Sequence, residues 1–296
     1  MYNYRHKNIK MKIIIENLKR LDLSKRPEKE IIEELKKISS LPFMTTTYYP
    51  NKEIERAVLN TDEEPVFKTA SRLSYKPNEY NTDYQRASTP ENTMFYGCVI
   101  PADLSEKEIK YARIIGATET CDLIRNEDAE DGERFITFGK WRVVENLDLV
   151  SIVDPYVEYR IKYLNDLVNA YRACLNNLPA EKSKEIQCVL SYLASEFSKK
   201  VDYGKNYDYM VSAIFTELLV NHGRNKIDGI LYPSVQTNGF GLCIAISPKS
   251  MYKLELIHVL QCKVIRKSMD VDLKNIRLCN VNPPNSVFEL KDIYTN

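Results

Sequence analysis

The sequence predicts an α+β protein in which two blocks of β-strands are separated by a long helical stretch. Apolar runs typical of strands fall between residues 94 and 153 and again between 229 and 264, whereas helical periodicity dominates from about 155 to 225. Strands grouped in blocks, rather than alternating singly with helices, are typical of an α+β layer architecture and not of a doubly wound sheet. The length of 296 residues suffices for one large domain, or for one domain with an extension.

Residues 1 to about 60 are predicted to form an N-terminal helical extension, and residues 61–296 to form the main domain. Pro27 and Glu28 suit the first turn of a helix. Four apolar side chains then recur at helical spacing on one face: Ile31, Ile32, Leu35 and Ile38. Such a face needs a surface to cover it, and we expect it to dock on this chain in preference to another protein.

A buried strand and a helix open the main domain after a loop-rich segment. Residues 94–100, with the sequence MFYGCVI, are predicted to form the strand. Ser105 and Glu108 have the spacing of a capping box, which predicts that a helix begins there. Glu119 then shares a face of this helix with Ile115 and Gly116. A carboxylate on the apolar side of a helix needs a bonding partner.

The later elements fall into three groups. Three strands, three helices and a second set of strands are predicted in this order: 134–138, 141–145, 149–153, then about 156–178, 180–200 and 207–220, then 229–232, 241–246 and 254–264.

The charge balance excludes several classes of partner. Lys and Arg total 42 and Asp and Glu total 41, so the net charge of +1 gives no basic surface for direct nucleic-acid binding or for an anionic membrane. No apolar run approaches the roughly 20 residues of a membrane helix, and the N-terminus lacks the apolar core of a signal peptide. The seven cysteines include no CxxC pair, and the three histidines lie far apart. We therefore expect a cytoplasmic protein with reduced cysteines, no metal site and no bound cofactor.

Three common catalytic motifs do not occur in the sequence. There is no GxGxxG after a strand, no GxxxxGK[ST] phosphate-binding loop and no GxSxG nucleophile elbow. Composition and periodicity therefore indicate the class of fold but not the chemistry.

Four short segments do carry candidate functional side chains. TASRL at 69–73 contains Arg72, and YQRAS at 84–88 contains Arg86 and precedes the strand with Tyr96. IGATE at 115–119 ends on Glu119, and IDGILYPSV at 227–235 contains Ser234. In this order and spacing, the segments resemble motifs of the RES-domain family, which is named for its arginine, glutamate and serine. The resemblance spans about residues 66–246 and departs after the second arginine, where the family tends to have an aromatic residue and an asparagine. The helical segment at about 155–225 is long for a compact toxin of this family, and we interpret it as an insertion that covers the pocket or binds a partner.

The resemblance implies both a fold and a substrate. The fold is an ADP-ribosyltransferase-like mixed β core with flanking helices. The substrate is NAD, which some members of the family degrade as toxins with inorganic phosphate as acceptor, while others transfer ADP-ribose to a protein. A toxin of this kind would have an antitoxin protein as a partner.

The resemblance also implies a role for each candidate side chain. Arg72 and Arg86 would bind the pyrophosphate of NAD, because arginine offers a permanently charged, bidentate donor. Tyr96 would hold the flat, cationic nicotinamide ring. Glu119 would stabilise the positive charge that develops on the ribose when the glycosidic bond breaks. Ser234 would hydrogen-bond the nicotinamide ribose or an acceptor phosphate.

The sequence thus predicts an enzyme that breaks the nicotinamide–ribose bond of NAD, with phosphate or water as acceptor. Two alternatives remain open: a protein ADP-ribosyltransferase that uses the same pocket, and a catalytically silent NAD-binding module. The candidate residues also have structural interpretations, as surface arginines, a core tyrosine, a solvated glutamate and a serine in a turn. We interpret Asp228 and Gly229 as a turn, and Glu217 and His222 as structural residues.

Overall fold

The computed structural model describes residues 2–38, 41–100, 106–126, 128–159, 162–202, 204–222, 226–235, 241–283 and 286–293. In this part of the chain, seven α-helices are present: α1 (Tyr2–Arg20), α2 (Glu28–Ile38), α3 (Glu106–Thr120), α4 (Asp122–Arg125), α5 (Lys162–Asn176), α6 (Ala180–Phe197) and α7 (Met210–His222). The strands are β1 (Thr45–Tyr48), β2 (Glu53–Leu59), β3 (Phe95–Ile100), β4 (Gly132–Val143), β5 (Leu147–Ser151), β6 (Gly229–Pro233), β7 (Leu242–Ile246), β8 (Leu254–Lys267), β9 (Asp270–Asn280) and β10 (Lys291–Asp292).

All the strands of the described residues join one mixed sheet in the order β1-β5-β6-β7-β3-β2-β4-β8-β9-β10. Neighbouring strands are antiparallel except β5 and β6, which run parallel. A parallel pair needs a long crossover connection, and α5, α6 and α7 form it. The helical segment that the sequence predicted as an insertion is therefore the crossover of this parallel pair. The α+β class is confirmed.

The N-terminal segment differs from the sequence prediction after residue 38. Helices do occupy Tyr2–Arg20 and Glu28–Ile38, but residues 45–48 and 53–59 form β1 and β2. β2 lies inside the sheet, between β3 and β4. The prediction of a helical extension to about residue 60 is therefore wrong for these two strands.

The two N-terminal helices dock on the crossover helices of the same chain. α1 packs on α6, and α2 packs on α7. Ile14, Ile31 and Leu35 are buried in one cluster with Val189 of α6 and Phe215 of α7. Docking of the apolar face on this chain is confirmed.

The two faces of the sheet carry different clusters of buried side chains, because consecutive residues of a strand point to opposite faces. One face, here called the α3 face, holds Tyr96 and Cys98 of β3, and α3 packs on it with Gly116 beside the Cys98 sulfur. The opposite face holds Phe95 of β3 and Trp141 of β4, whose rings meet edge to face. This division decides which candidate residues can meet.

Two further differences concern strands. Residues 134–138 and 141–145 were predicted as separate strands, but β4 runs from Gly132 to Val143 with an irregularity between Lys140 and Trp141. β9 and β10 were not predicted. Ser105, the predicted helix cap, lies outside the described residues, and the helix itself begins at Glu106. Within the described residues no helix combines the length and apolar character that a bilayer crossing requires.

Candidate functional site

Glu119 and Ser234 meet although 115 residues separate them in the chain. Glu119 lies in the last turn of α3, and Ser234 directly follows β6. The Ser234 hydroxyl donates a hydrogen bond of 2.6 Å to Oε1 of Glu119. The Cys243 sulfur lies 3.9 Å from the same oxygen. Ser234 is 1% exposed, whereas Glu119 is partly exposed, so the carboxylate is held from the protein side and remains accessible from solvent.

The start of β6 is fixed by a buried ion pair that sets the position of Ser234. The Asp228 carboxylate accepts hydrogen bonds from Lys253 Nζ at 2.7 Å, from Ser250 Oγ at 2.6 Å and from the Asp148 amide at 2.8 Å. A Cβ atom on Gly229 would lie 2.0 Å from the carbonyl oxygen of Ala245, so only glycine fits there. Asp228 therefore has a structural role at the strand start, and it lies in an ion pair rather than in a simple turn.

Tyr96 joins the site through its hydroxyl. The hydroxyl oxygen accepts the Ala87 amide at 3.0 Å and shares a 2.7 Å hydrogen bond with the Ser88 hydroxyl. Burial raises the pKa of Tyr96 to about 12, so the phenol keeps its proton at neutral pH. Ala87 and Ser88, the two residues that depart from the family pattern, are thus the residues that bind Tyr96. The tyrosine fixes the turn that presents Arg86.

Arg86 is buried, with 8% exposure, and it contacts the C-terminal end of α6. Its guanidinium donates hydrogen bonds to the carbonyl oxygens of Phe197 and Lys199. Its charge also lies 5.0 Å from the centre of the Tyr209 ring. A cation is favourable at a helix C-terminus, where carbonyl groups lack partners within the helix. Two of its five N–H donors therefore bind this chain's own backbone.

Tyr232 of β6 connects these groups. Its ring lies 5.6 Å from that of Phe197, whose carbonyl oxygen accepts from Arg86. Its strand partner is Cys243, whose sulfur lies 3.9 Å from Glu119. Burial raises the pKa of the Tyr232 phenol well above the usual range. Of the five candidate residues, the structure brings together Arg86, Tyr96, Glu119 and Ser234 on the α3 face.

Arg72 is the exception, because it lies on the opposite face of the sheet. Its Nε donates to Glu64 at 2.6 Å, and its guanidinium lies 4.9 Å from the centre of the Phe67 ring. Its neighbour Leu73 packs against Gly139 of β4, and a Cβ atom added to that glycine would lie 3.2 Å from the Leu73 Cβ atom. Arg72 is 46% exposed and does not join the cluster around Glu119. The expectation that all five side chains meet in one pocket is therefore wrong for Arg72.

Arg56 is a partly exposed arginine near Tyr96 that the sequence analysis did not consider. β2 pairs with β3 only as far as Glu55 and Cys98, and Arg56 follows at the point where the two strands separate. Its Nη1 donates to the Tyr96 carbonyl oxygen at 2.7 Å, while its buried Nε has no hydrogen-bond partner in the described part of the chain. Burial lowers the pKa of this guanidinium to about 10. Arg56 follows Glu53 and Glu55 in a strand that begins with alternating charges, so the sequence pattern does not single it out.

A cavity of about 370 Å³ adjoins Ser234. Its volume is within the range of small-molecule pockets. It is bounded by the end of β6, the C-terminal part of α6 and the segment at 154–159, and its lining includes the polar side chains Asp154, Tyr159, Ser195, Ser198, Lys200 and Ser234. Ser234 therefore contacts both Glu119 and this cavity, whereas Glu119 itself does not line the cavity.

Comparisons with protein-family models, with curated proteins and with solved structures found no match for this chain. Within the described residues, no group of three or more His, Cys, Asp or Glu side chains is arranged to hold a metal ion. Hypotheses about the function therefore rest on the geometry of the site and on the motif resemblance.

Proposed function

We propose that this protein cleaves the nicotinamide–ribose bond of NAD, with the Glu119 carboxylate beside the reacting ribose carbon. The observation that carries the proposal is the Glu119–Ser234 hydrogen bond of 2.6 Å, at a carboxylate that remains partly exposed. A partly exposed carboxylate that the protein orients in advance is the arrangement that stabilises a developing positive charge.

The reaction needs little beyond that carboxylate. When the bond breaks, its electron pair leaves with nicotinamide and neutralises the positive charge of the ring. The ribose carbon then carries oxocarbenium character, and a negative oxygen close to it lowers the barrier. Ser234 holds one oxygen of Glu119 in place. An oxygen of water or phosphate then forms the new bond to the ribose carbon, and an attacking water releases one proton to solvent.

The arginines that the motif resemblance implied for the pyrophosphate are not assigned that contact. Arg72 lies on the other face of the sheet and pairs with Glu64. Arg86 donates to the end of α6, so we assign it a positioning role. Arg56 directly follows Glu55, which faces α3 through its ion pair with Arg113. The Arg56 guanidinium lies 5.3 Å from the centre of the Phe95 ring, on the opposite face of the sheet. We therefore assign the pyrophosphate contact to none of these arginines.

Product analysis tests the proposal and identifies the acceptor. Purified protein is incubated with NAD, with and without inorganic phosphate, and the products are separated by chromatography. We expect free nicotinamide, together with ADP-ribose if water is the acceptor or phosphorylated ADP-ribose if phosphate is. A label from NAD that appears on protein would instead identify an ADP-ribosyltransferase. NAD that stays intact after long incubation would contradict the proposal.

A catalytically silent NAD-binding module is the second candidate. The observation that favours it is that Glu119 does not line the cavity beside Ser234, so a ligand bound in that cavity need not contact the carboxylate. This candidate predicts saturable NAD binding by calorimetry without release of nicotinamide. Cleavage of NAD that depends on Glu119 would exclude it.

A further inference from the structure

Two cysteines face each other on the central strands directly beneath the candidate site. Cys98 of β3 and Cys243 of β7 are directly opposite in the antiparallel register. Both are buried on the α3 face, with exposures of 4% and 5%. Both thiols are free.

The pair contacts the helix that carries Glu119 at two points. The Cys243 sulfur lies 3.9 Å from Oε1 of Glu119. The Cys98 sulfur lies 4.0 Å from the position that a Cβ atom on Gly116 would take, one helical turn before Glu119. A change in either sulfur therefore reaches the last turn of α3.

The strand geometry allows a bond between the sulfurs. Directly opposite residues of antiparallel strands have Cα atoms about 4.5 or 5.5 Å apart, and disulfides need Cα separations of roughly 4.4–6.8 Å. Side chains at directly opposite positions also lie on the same face of the sheet. The backbone thus needs no rearrangement of register to form this bridge.

We propose that Cys98 and Cys243 form a redox modification site, in which an oxidant of the peroxide class joins the two sulfurs in a cross-strand disulfide. Two S–H bonds break and one S–S bond forms. The two protons and two electrons reduce one molecule of hydrogen peroxide to two molecules of water. A thiol reductant reverses the reaction by exchange.

Bridge formation displaces Glu119 for two reasons. The Cys243 thiol loses its hydrogen and no longer donates toward the carboxylate. The Cβ atoms also draw together, from about 4.5–5.5 Å in a strand pair to about 3.8 Å in a disulfide, beneath the packed end of α3. A misplacement of about 1 Å at a catalytic group can lower turnover by about 100-fold. Oxidation therefore reduces the activity assigned to Glu119.

The chemistry of the pair sets how fast it responds. The neighbouring Cys98 thiol and burial together raise the pKa of Cys243 well above its usual range. The thiolate is the nucleophile in such reactions, so the bridge forms slowly at neutral pH and faster as the pH rises. Cys174, which is exposed, provides an internal comparison.

The experiment maps disulfides in the full chain after treatment with hydrogen peroxide at pH 8. We expect a peptide pair that contains Cys98 and Cys243, with a mass two hydrogens below the sum of the two peptides, and its loss on reduction. Nicotinamide release should fall by roughly 10- to 100-fold with bridge formation and recover with reductant. Cys98→Ala should keep its activity in peroxide, whereas the control Cys174→Ala should behave like the unmodified chain.

One outcome would overturn the site and another would overturn its effect on Glu119, and neither depends on NAD cleavage. One is the absence of the bridged peptides when Cys174 is fully oxidised. The other is a bridge that forms without any change in hydrogen exchange of α3. The inference about activity rests on the proposed function. If the bridge forms and alters α3 but the protein does not cleave NAD, the proposed function is refuted and the redox site still stands.

Discussion

Removing the Asp228 carboxylate should destabilise the protein strongly, because it leaves a buried cation without its partner. Asp228 is 1% exposed and Lys253 is 10% exposed, and their charged atoms are 2.7 Å apart. Breaking a buried ion pair from one side costs about 3–5 kcal/mol. We therefore expect Asp228→Ala to lower the free energy of unfolding by about that amount. The Ser250 hydroxyl and the Asp148 amide also lose their acceptor.

Denaturant unfolding measures this loss, with the fluorescence of the single tryptophan, Trp141, as the probe. The double variant Asp228→Ala, Lys253→Met removes the orphaned cation, so its cost should be clearly less than the sum of the two single costs. Asp272→Ala is the matched control, because its ion pair with Lys274 is exposed and worth at most about 1 kcal/mol. A cost below about 1 kcal/mol for Asp228→Ala, or simple additivity in the double variant, would refute the reasoning.

Three further predictions concern the packing around the site. Gly229→Ala should cost more than about 3 kcal/mol or prevent folding, because the new Cβ atom would meet the Ala245 carbonyl oxygen at 2.0 Å; a near-neutral unfolding curve would show that the strands can separate. Arg86→Met should raise hydrogen exchange at the C-terminal end of α6, where two carbonyl oxygens lose their donor, and unchanged exchange would argue against this role. Burial raises the pKa of Glu55 above its ordinary value of 4.5, although the Arg113 guanidinium opposes this shift. The protonated Glu55 side chain therefore contributes its full stability below pH 4.5. That contribution is lost as the pH rises through the higher pKa of the folded state. The stability of the unmodified chain relative to Glu55→Gln should therefore fall as pH increases from 4.5, and a flat or rising difference in the unfolding curves would contradict it.

The parts of the fold that the sequence predicted are those with strong periodicity. The strand with Phe95 and the crossover helices follow patterns that fit one secondary structure only. The pattern of β2 is ambiguous. Its apolar residues Ile54, Ala57 and Val58 have the spacing of a helix face, although the segment forms a strand. Its neighbours β3 and β4 decide the outcome, and they lie 36 or more positions away in the chain.

β9 was missed because it lies near the edge of the sheet. Its burial pattern shows exposed residues along most of its length, including Asp270 and Asp272. An edge strand buries little apolar area, so charged residues are tolerated and the sequence pattern is weak. Hydrogen bonding to β8 stabilises it, and a local pattern cannot indicate such a partner.

Four of the five residues that the motif resemblance implied lie together on the α3 face, and Arg72 does not. Glu119 and Ser234 each lie on an element with a clear pattern, so their meeting follows from the fold. Arg72 lies on a short 3-10 helix, and no local pattern indicates which face of the sheet such a helix covers. Arg56 was overlooked because the segment that contains it was assigned to the helical extension.

The rate of nicotinamide release by Glu119→Gln, compared with Glu217→Gln, tests the central claim most directly. Both glutamates lie on helices, are partly exposed and accept hydroxyl hydrogen bonds of 2.6 Å, from Ser234 and from Thr89 respectively. We predict that Glu119→Gln lowers kcat by roughly 10²- to 10³-fold while the protein stays folded, and that Glu217→Gln keeps the rate of the unmodified chain. Full turnover by Glu119→Gln, or an equal loss in both variants, would contradict the claim that the Glu119 carboxylate stabilises the reacting ribose.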